Sequence, residues 1–367
     1  DPEFVKQCPE IIQLLKSESA IKVFVPTEWK GVTGMPPLTI NFKEGMPQSS
    51  KPPPRRINEK LMENAKKEFD RLLTYFYESS DSPIASPLVI AAKATFPFLR
   101  FCGDYSVLVN KWIETGHFPI PHVLESLEKI AKFEIFLDVD LTNGFHQFRL
   151  CPKTSRMLSV QTPWGQFQPK FLPEGVPVGS GVLQEAMYNI FKDFSDWTIV
   201  IFDNLLILAH DYKDAYDKMK IVIDRAHERN LVFKMKKTWL GFKQVTFFGY
   251  ECKKGSFELG MERKQSIMDM PFPSNRKQMR RFLGCSVFFL KFVPNYSMLS
   301  APLVDMTKDS FDWNPSTWKV DYISKFEAFK KELIKSCALF YPDYELNWYL
   351  RADASEIGVG FVLLQEF

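Results

Sequence analysis

Residues 136–147 have the sequence FLDVDLTNGFHQ, an apolar run that ends at Asp140 and continues into a glycine-containing turn. This pattern is typical of a buried strand that runs into a turn. A second acidic residue, Asp203, lies within TIVIFDNLLIL, residues 198–208, where Asp203 and Asn204 interrupt two aliphatic runs. A polar pair of this kind is expected at the tip of a hairpin and has no packing explanation beyond the turn. Two carboxylates brought together can hold a pair of divalent ions for attack on a phosphate, so the sequence points first to phosphoryl transfer.

Composition sets outer limits on this interpretation. A chain of 367 residues exceeds the size of one typical core, so two or three subdomains are expected. The net charge is only +3, from 47 basic and 44 acidic residues, so a nucleic-acid partner would need a local basic cleft. Aromatic residues make up 15% of the chain, which supplies core as well as surfaces on which bases stack.

Cysteine usage and hydropathy indicate an intracellular protein without a membrane partner, in the cytoplasm, in virus-like particles or in the nucleus. The six cysteines are scattered without a C-x-x-C pair, so reduced thiols are expected and a zinc site is not. No apolar run approaches the ~18–20 residues that cross a bilayer. Residues 1–4, DPEF, are typical of a cloning remnant, and the abrupt end after an apolar run predicts a piece of a longer polyprotein.

The order of helical and strand patterns predicts an α+β fold rather than a doubly wound one. Residues 5–57 are Pro-rich and predict an irregular, extended arm. Helices are predicted over 58–77, near 121–132, and over 180–194, 212–229, 262–270, 275–292 and 321–336. Strands are predicted from 88 to 92, in a hairpin over 159–171, around 231–235 and 245–250, and over 348–364.

Ten short motifs follow one another along the chain. They are SPIASP (82–87), RFCGDY (100–105), DLTNGFHQ (140–147), LPEG (172–175), Gln184, FDN (202–204), FFGY (247–250), RFLG (281–284), APL (301–303) and DASEIG (353–358). In this order and spacing they resemble the reverse transcriptase of gypsy-type LTR retrotransposons, over roughly residues 35–367.

The resemblance implies a right-hand polymerase with fingers, palm and thumb, a connection domain and the start of an RNase H-like domain. The boundaries it predicts are an N-terminal arm (1–57), fingers with the start of the palm (58–135), palm (136–252) with an inserted fingers segment (148–172), thumb (253–305), connection (306–345) and a truncated RNase H domain (346–367). It also implies a primer–template of RNA or DNA and dNTPs as partners, and it leaves the oligomeric state open, with a homodimer as one alternative.

The metal site implied by the resemblance consists of Asp140 and Asp203, with the Leu141 carbonyl as a further ligand and Asn204 beside them. Mg²⁺ is the expected ion, with Mn²⁺ as the alternative, because hard cations prefer oxygen ligands. One ion would lower the pKa of the primer 3′-hydroxyl and the other would hold the triphosphate. The alternative for Asp140 is a solvated residue at a strand end.

Nucleotide-binding residues also follow from the resemblance. Phe145 matches the flat ring that leaves no room for a 2′-hydroxyl, although an aromatic there can equally fill the palm core. Arg100 and Lys93 match a clamp on the triphosphate, in which arginine offers a bidentate fork. Glu174 and Gln184 are expected near the nucleotide, and these five complete the predicted nucleotide site. Lys170 is the candidate base that pairs with Glu174, and Asp104 is expected to orient a fingers loop.

Primer-binding residues are predicted further along the chain. The primer grip would be formed by Phe247, Phe248, Gly249 and Tyr250, with the glycine allowing close approach to the primer strand. Lys234, Lys236 and Lys237 are expected to form a basic strand that binds phosphate or protonates the pyrophosphate leaving group. Asp353 matches the first metal ligand of RNase H, but its partner carboxylates are absent, so RNase H activity is not expected.

One departure from the family pattern leaves two functions open. Residues 201–204 read IFDN where most reverse transcriptases have Tyr-x-Asp-Asp. Asparagine keeps an oxygen donor but loses a negative charge, so the chain is either an active RNA-directed DNA polymerase or a weakened or dead nucleic-acid-binding scaffold. A nuclease built on Asp353 is a poorer third alternative.

Overall fold

The computed structural model describes residues 1–92, 98–116, 118–335, 338–342, 345–355 and 358–366. It divides into two compact units, the first formed by Asp1–His122 and Ile135–Phe242 and the second by Val123–Glu134 and Lys243–Phe367. Within the described residues, no helix combines the length and apolar character needed to span a bilayer. The mixed helix and sheet content confirms the predicted α+β class.

The helices of the first unit are α1 (Pro2–Gln7), α2 (Glu10–Leu15), α3 (Glu18–Phe24), α4 (Glu59–Leu73), α6 (Pro152–Met157), α7 (Gly179–Phe191) and α8 (Tyr212–Glu228). Those of the second unit are α5 (Val123–Ala131), α9 (Met261–Met268), α10 (Arg276–Ser286), α11 (Tyr296–Asp305) and α12 (Tyr322–Ile334). The predicted helices over 58–77, 121–132, 180–194, 212–229, 262–270, 275–292 and 321–336 are confirmed, with shorter bounds.

The strands of the first unit are β1 (Tyr77–Ser79), β2 (Ser86–Ala92), β3 (Leu99–Gly103), β4 (Ile135–Asp140), β5 (Val160–Thr162), β6 (Gly165–Pro169), β7 (Thr198–Ile201), β8 (Asn204–Ala209) and β9 (Trp239–Phe242). Those of the second unit are β10 (Val245–Phe247), β11 (Tyr250–Lys253), β12 (Ser256–Leu259), β13 (Leu339–Phe340), β14 (Trp348–Ser355) and β15 (Gly358–Gln365). The predicted hairpins over 159–171 and 198–208 are both present.

Two sheets organise the first unit. One has the strand order β7-β8-β4-β9 and carries both predicted metal ligands. Its strands are largely aliphatic, and Leu137, Val139, Leu205 and Ile207 are completely buried, which ties the sheet to the core. The other sheet has the order β1-β6-β5-β2-β3, with β2 and β5 parallel.

The second unit has its own apolar core. A sheet of order β10-β11-β12-β13 accompanies helices whose buried side chains include Met279, Phe282, Phe326 and Phe329. Strands β14 and β15 form a separate two-stranded hairpin. Large apolar side chains on this hairpin, such as Leu350 and Phe361, are exposed.

The prediction of an irregular arm over residues 5–57 is wrong for its first half. Helices α1–α3 cover most of residues 2–24, and Phe4, within the predicted cloning remnant, is buried and stacks on Tyr212 at 5.5 Å. Helices of six or seven residues contain too few turns to show a clear helical period, so the sequence pattern could not reveal them. Residues after Val25 are irregular, but Leu38 forms a bridge with Leu150 and is not detached.

Other elements were also missed or misassigned. Lys234, Lys236 and Lys237 do not form a strand, since residues 235–237 form a 3₁₀ turn and Phe233 makes only an isolated bridge with Leu141. Strand β9 and helix α6 were not predicted. Helix α11 contains Pro302, a residue that normally ends a helical pattern, and this explains why it was missed.

Candidate active site

Strands β4 and β8 bring the two predicted metal ligands to the same end of one sheet. In the antiparallel register, Asp140 lies opposite Asn204. The backbone N–H of Leu141 donates to the carbonyl of Asp203 at 2.9 Å. The backbone carbonyl of Asp140 accepts from the N–H of Lys234 at 2.8 Å, which fixes the end of β4 from its other side. Two acidic residues from distant parts of the chain therefore share one site.

The tip of the hairpin has a strained backbone that a buried glutamine holds in place. Ile201 pairs with Asn204, so Phe202 and Asp203 are the two turn residues, and Phe202 has a φ of 53°. A positive φ at the first turn position is usually occupied by glycine, so phenylalanine there is unfavourable. Gln184 is 1% exposed; its side-chain oxygen accepts from Phe202 N–H at 2.7 Å and its amide donates to Val200 O at 2.9 Å.

Gln184 thus has a different role from the predicted one. Both ends of its amide are engaged by the β7–β8 hairpin, and it lies within the core. The structure therefore corrects its assignment from nucleotide binding to support of the Asp203 turn. The sequence places a glutamine among apolar helix residues, and that is the signal from which a buried hydrogen-bonding role could have been inferred.

A second buried glutamine, Gln147, fixes the turn after Asp140. The Gln147 amide donates to the carbonyls of Thr142 at 2.9 Å and Val232 at 2.8 Å, and its oxygen accepts from Val232 N–H at 2.8 Å. The three bonds join the end of the 140–147 motif to the segment after α8. In the sequence, the only signal for this hydrogen-bonding role is the position of Gln147 at the end of the 140–147 motif.

Charges at the site are unevenly balanced. The Lys237 ammonium lies 2.8 Å from an Asp140 carboxylate oxygen, and this hydrogen bond raises the pKa of Lys237. Burial, with a smaller contribution from the charge of Asp140, raises the pKa of Asp203. Burial and the same neighbouring charge raise the pKa of Asp138 to about 6. Added positive charge at this site would therefore favour the ionised forms of Asp138 and Asp203.

The donor set suits a hard divalent cation. Its ligands would be carboxylate and carbonyl oxygens, the type that Mg²⁺ and Mn²⁺ prefer. Among the described residues, no group of three or more histidine, cysteine or acidic side chains surrounds a common ion position. A metal held by Asp140 and Asp203 would therefore complete its coordination with backbone, water and substrate oxygens.

Phe145 lies on a turn that the N-terminal segment clamps. It belongs to the 3₁₀ turn Gly144–Gln147, is partly buried, and its ring approaches Gly179 at the start of α7. The Trp29 indole N–H donates to the carbonyl of His146 at 2.9 Å, and Val32 N–H donates to that of Gln147 at 2.7 Å. The segment predicted to be a loose arm thus fixes the backbone next to Phe145.

The predicted triphosphate clamp is only partly described. Lys93 lies outside the described residues. Arg100 is on β3, and its guanidinium lies 3.2 Å from a Glu174 carboxylate oxygen. The prediction that Lys170 pairs with Glu174 is therefore wrong, because the loop after residue 171 turns Glu174 toward β3. Asp104 accepts from the Arg55 guanidinium, in keeping with its expected role in orienting a loop.

The remaining predicted residues lie in the second unit. Phe247 and Tyr250 pair at the ends of β10 and β11, and Phe248 and Gly249 form the turn between them. Asp353 is an exposed residue of β14, opposite Gly360 of β15.

Comparison with known proteins finds a family match over the part of the chain that carries the two acidic residues. Residues 102–252, which include Asp140, Phe145 and Asp203, match the family described as reverse transcriptase (RNA-dependent DNA polymerase). This part of the chain is therefore similar to a reverse transcriptase domain. The chain is 26% identical, over 292 residues covering 78% of its length, to the retrovirus-related Pol polyprotein from transposon 297 of Drosophila melanogaster. The match spans 27% of that relative's length.

Solved structures establish the fold of the chain. The foamy viral protease–reverse transcriptase in complex with double-stranded DNA matches the whole chain with a TM-score of 0.82 at 20% identity, over 63% of its own length. The same enzyme in complex with an RNA/DNA hybrid matches with a TM-score of 0.74 at 20% identity, over 48% of its length. These likenesses confirm the predicted right-hand polymerase fold.

Proposed function

We propose that this chain is an RNA-directed DNA polymerase that extends a primer 3′-hydroxyl with dNTPs on an RNA or DNA template. The observation that carries the proposal is the shared location of Asp140 and Asp203 at one end of the β7-β8-β4-β9 sheet. A pair of carboxylates at such a location is what two-metal phosphoryl transfer requires. The match to the reverse transcriptase family and the transposon relative support the assignment. Its finer form, a gypsy-type LTR retrotransposon enzyme, is proposed from the order and spacing of the sequence motifs.

Asp140, Asp203 and the Leu141 carbonyl would hold the ions, with Mg²⁺ as the natural metal and Mn²⁺ as its substitute. When bound, the metals would lower the pKa of the primer 3′-hydroxyl and neutralise the triphosphate. Burial raises the pKa of Asp203, and bound cations would favour its ionised form, which supports a role in metal binding. Asn204, opposite Asp140, would contribute an amide oxygen close to the same position.

Lys237 is the member of the basic group that reaches the catalytic carboxylates. Its ammonium contacts the Asp140 carboxylate and would turn from there to the phosphates of a bound nucleotide. There it would stabilise, or protonate, the pyrophosphate leaving group. Lys234 and Lys236 would bind phosphate of the nucleic acid.

Nucleotide selection is proposed to use Phe145 and Arg100. The Phe145 ring, held by the clamped turn, would pack under the sugar and exclude a 2′-hydroxyl. Arg100 would exchange its exposed ion pair with Glu174 for the triphosphate, because an exposed pair costs little to break. Lys93 completes the proposed clamp, and Phe247, Phe248, Gly249 and Tyr250 remain the proposed contacts of the primer strand.

The domain boundaries predicted from the sequence also remain proposals. Residues 58–135 are proposed as fingers with the start of the palm, and 136–252 as palm with an inserted fingers segment over about 148–172. Residues 253–305 are proposed as thumb. A connection over 306–345 and the start of an RNase H-like domain, carrying Asp353, would follow. RNase H activity is not proposed for this chain.

The test is primer extension on poly-rA/oligo-dT with dTTP, first with Mg²⁺ and then with Mn²⁺. Metal-dependent growth of the primer supports the proposal. Binding of the primer–template without incorporation under either metal would instead favour the nucleic-acid-binding scaffold. Omission of metal, with EDTA present, provides the blank.

Replacing Asn204 by aspartate is expected to keep or raise the extension rate and to lower the Mg²⁺ concentration that gives half-maximal activity, by about three- to tenfold. The reason is that a second charge beside Asp140 strengthens cation binding. Without metal, the same like-charge pair across two strands should lower stability by roughly 0.2–1 kcal/mol. Titration of primer extension with Mg²⁺ measures the first effect, and thermal melting with and without Mg²⁺ measures the second. A more than tenfold loss of rate would contradict it.

Replacing Gly144 by alanine is expected to reduce extension at least tenfold, because a Cβ at this position would lie 2.8 Å from the Asp203 Cβ and push the carboxylate out of place. Overpacking of this kind typically costs roughly 1–3 kcal/mol of stability. Gly116→Ala is the matched control, since its added Cβ would have no neighbour within 4 Å in the described part of the chain. Equal extension rates for the two variants would show that the close approach of Gly144 and Asp203 does not matter.

A further inference from the structure

The turn between β10 and β11 has an unusual residue for its backbone conformation. Phe247 and Tyr250 are paired, so Phe248 and Gly249 are its two central residues, with φ of 47° and 77°. Positive φ at both positions defines a type I′ turn, in which Asn-Gly is the preferred dipeptide. Glycine suits the second position, but phenylalanine is poorly suited to the first. The conformation of this turn therefore depends on contacts from outside it.

Those contacts come from the start of α9. The Arg263 guanidinium donates through Nη2 to the carbonyl of Phe248 at 2.5 Å. The backbone N–H of Gly260 donates to the carbonyl of Gly249 at 3.0 Å. Both turn carbonyls are thus bound by the segment from Gly260 to Arg263, and this fixes the direction in which the turn points.

Arg263 itself packs against two aromatic rings. Its guanidinium carbon lies 4.5 Å from the centroid of Phe288 and 5.4 Å from that of Tyr250. A Cβ on Gly249 would collide with the guanidinium, so the arginine reaches the turn only because that residue is glycine. Among the described residues, its buried Nη1 has no hydrogen-bond partner, so the ring contacts add to the single hydrogen bond that Nη2 makes to the turn.

We propose that Arg263 is a positioning residue for the Phe248-Gly249 turn and that it acts on primer use. The proposal rests on the proposed polymerase function, in which this turn contacts the primer strand. Arg263 does not need to touch nucleic acid, because it holds the backbone of the residues that do. Phe248 and Phe288 are 41% and 54% exposed, which leaves an apolar surface at the turn.

The first experiment compares primer extension by the wild-type chain, Arg263→Ala and Arg263→Lys. We expect Arg263→Ala to raise the KM for primer–template at least tenfold and to leave the KM for dTTP within twofold. Arg263→Lys should restore little of the wild-type KM for primer–template, because an ammonium lacks the planar guanidinium that packs on the two rings. Arg280→Ala is the matched control, since Arg280 also donates to one backbone carbonyl, that of Thr307, and its loss removes the same charge.

A second experiment separates the turn from the general fold. Replacing Phe248 by asparagine provides the dipeptide that adopts a type I′ turn unaided. In that background, Arg263→Ala should change the primer–template KM less than threefold. Equal losses in both backgrounds, or a parallel rise in the KM for dTTP, would overturn the proposal.

Hydrogen exchange supplies a measurement that needs no activity. Amide exchange in a peptide covering residues 244–253 should accelerate at least tenfold in Arg263→Ala and not in Arg280→Ala. Unchanged exchange would overturn the positioning role even if the wild-type chain made no DNA. An inactive wild-type chain whose turn loosens on loss of Arg263 would contradict the polymerase function alone.

Discussion

Replacing Asp140 or Asp203 by asparagine is expected to reduce primer extension by about 10³-fold or more, while primer–template binding stays within twofold. A loss of this size corresponds to about 4 kcal/mol of transition-state stabilisation. The two carboxylates would act on one dinuclear centre, so the double variant should be hardly worse than either single one, as for groups that act as a unit. Single-turnover extension and fluorescence anisotropy with a labelled duplex measure the two quantities.

The same substitution at Asp203 should not destabilise the metal-free protein. Burial and the charge of Asp140 raise the pKa of Asp203, so its ionised form opposes folding there. We therefore expect the melting temperature of Asp203→Asn without metal to equal or exceed that of the wild-type chain. Loss of activity together with retained stability would separate a catalytic group from a structural one.

Asp211→Asn is the control for charge. Asp211 caps α8 by accepting from Asp214 N–H at 2.8 Å, and asparagine is an equally good cap. Its activity should match that of the wild-type chain. If Asp211→Asn lost as much activity as Asp203→Asn, general electrostatics rather than a metal site would explain both.

The second large effect is expected at Phe145. Replacing it by valine should raise the ratio of ribonucleotide to deoxyribonucleotide incorporation, compared as kcat/KM, by roughly 10- to 100-fold. Steric discrimination of this kind is typically worth about 1–3 kcal/mol. In the proposed role the ring would pack under the sugar, and its turn is fixed by Trp29, Val32 and Gln147.

Phe148→Leu is the matched control for the Phe145 variant. Phe148 lies three residues further along and is 1% exposed, so its truncation weakens the core without changing a surface under the sugar. It should lower stability and leave the ratio unchanged. An unchanged ratio of ribonucleotide to deoxyribonucleotide incorporation in Phe145→Val, or an equal change in Phe148→Leu, would show that Phe145 only fills the core.

Local patterns predicted those parts of the structure in which a single element is long and regular. The aliphatic runs of β4, β7 and β8 and the helical period of α8 are readable because each buries one consistent face. The association of β4 with β8 came instead from the resemblance of the motifs to a family. Sequence patterns do not predict short helices such as α1–α3, since their formation depends on packing against distant parts of the chain.

The candidate site likewise combines features that a local pattern predicts with features that depend on distant contacts. The acidic pair could be named from its local context, but the contacts of Lys237 with Asp140 and of Arg100 with Glu174 join residues about 70–100 positions apart. Nothing in a local sequence window encodes such a pairing. Gln184 and Gln147 were misassigned or overlooked for the same reason, because the backbone groups that they satisfy belong to other elements.

The central claim is that a hairpin with Asp203-Asn204 in place of two aspartates still supports DNA synthesis. Incorporation of labelled dTTP on poly-rA/oligo-dT by the wild-type chain, beside Asp203→Ala, tests it most directly. We predict Mg²⁺-dependent product from the wild-type chain and none from the variant. A wild-type chain that binds the duplex but incorporates nothing with Mg²⁺ or Mn²⁺, or a variant that retains the activity, would contradict the claim.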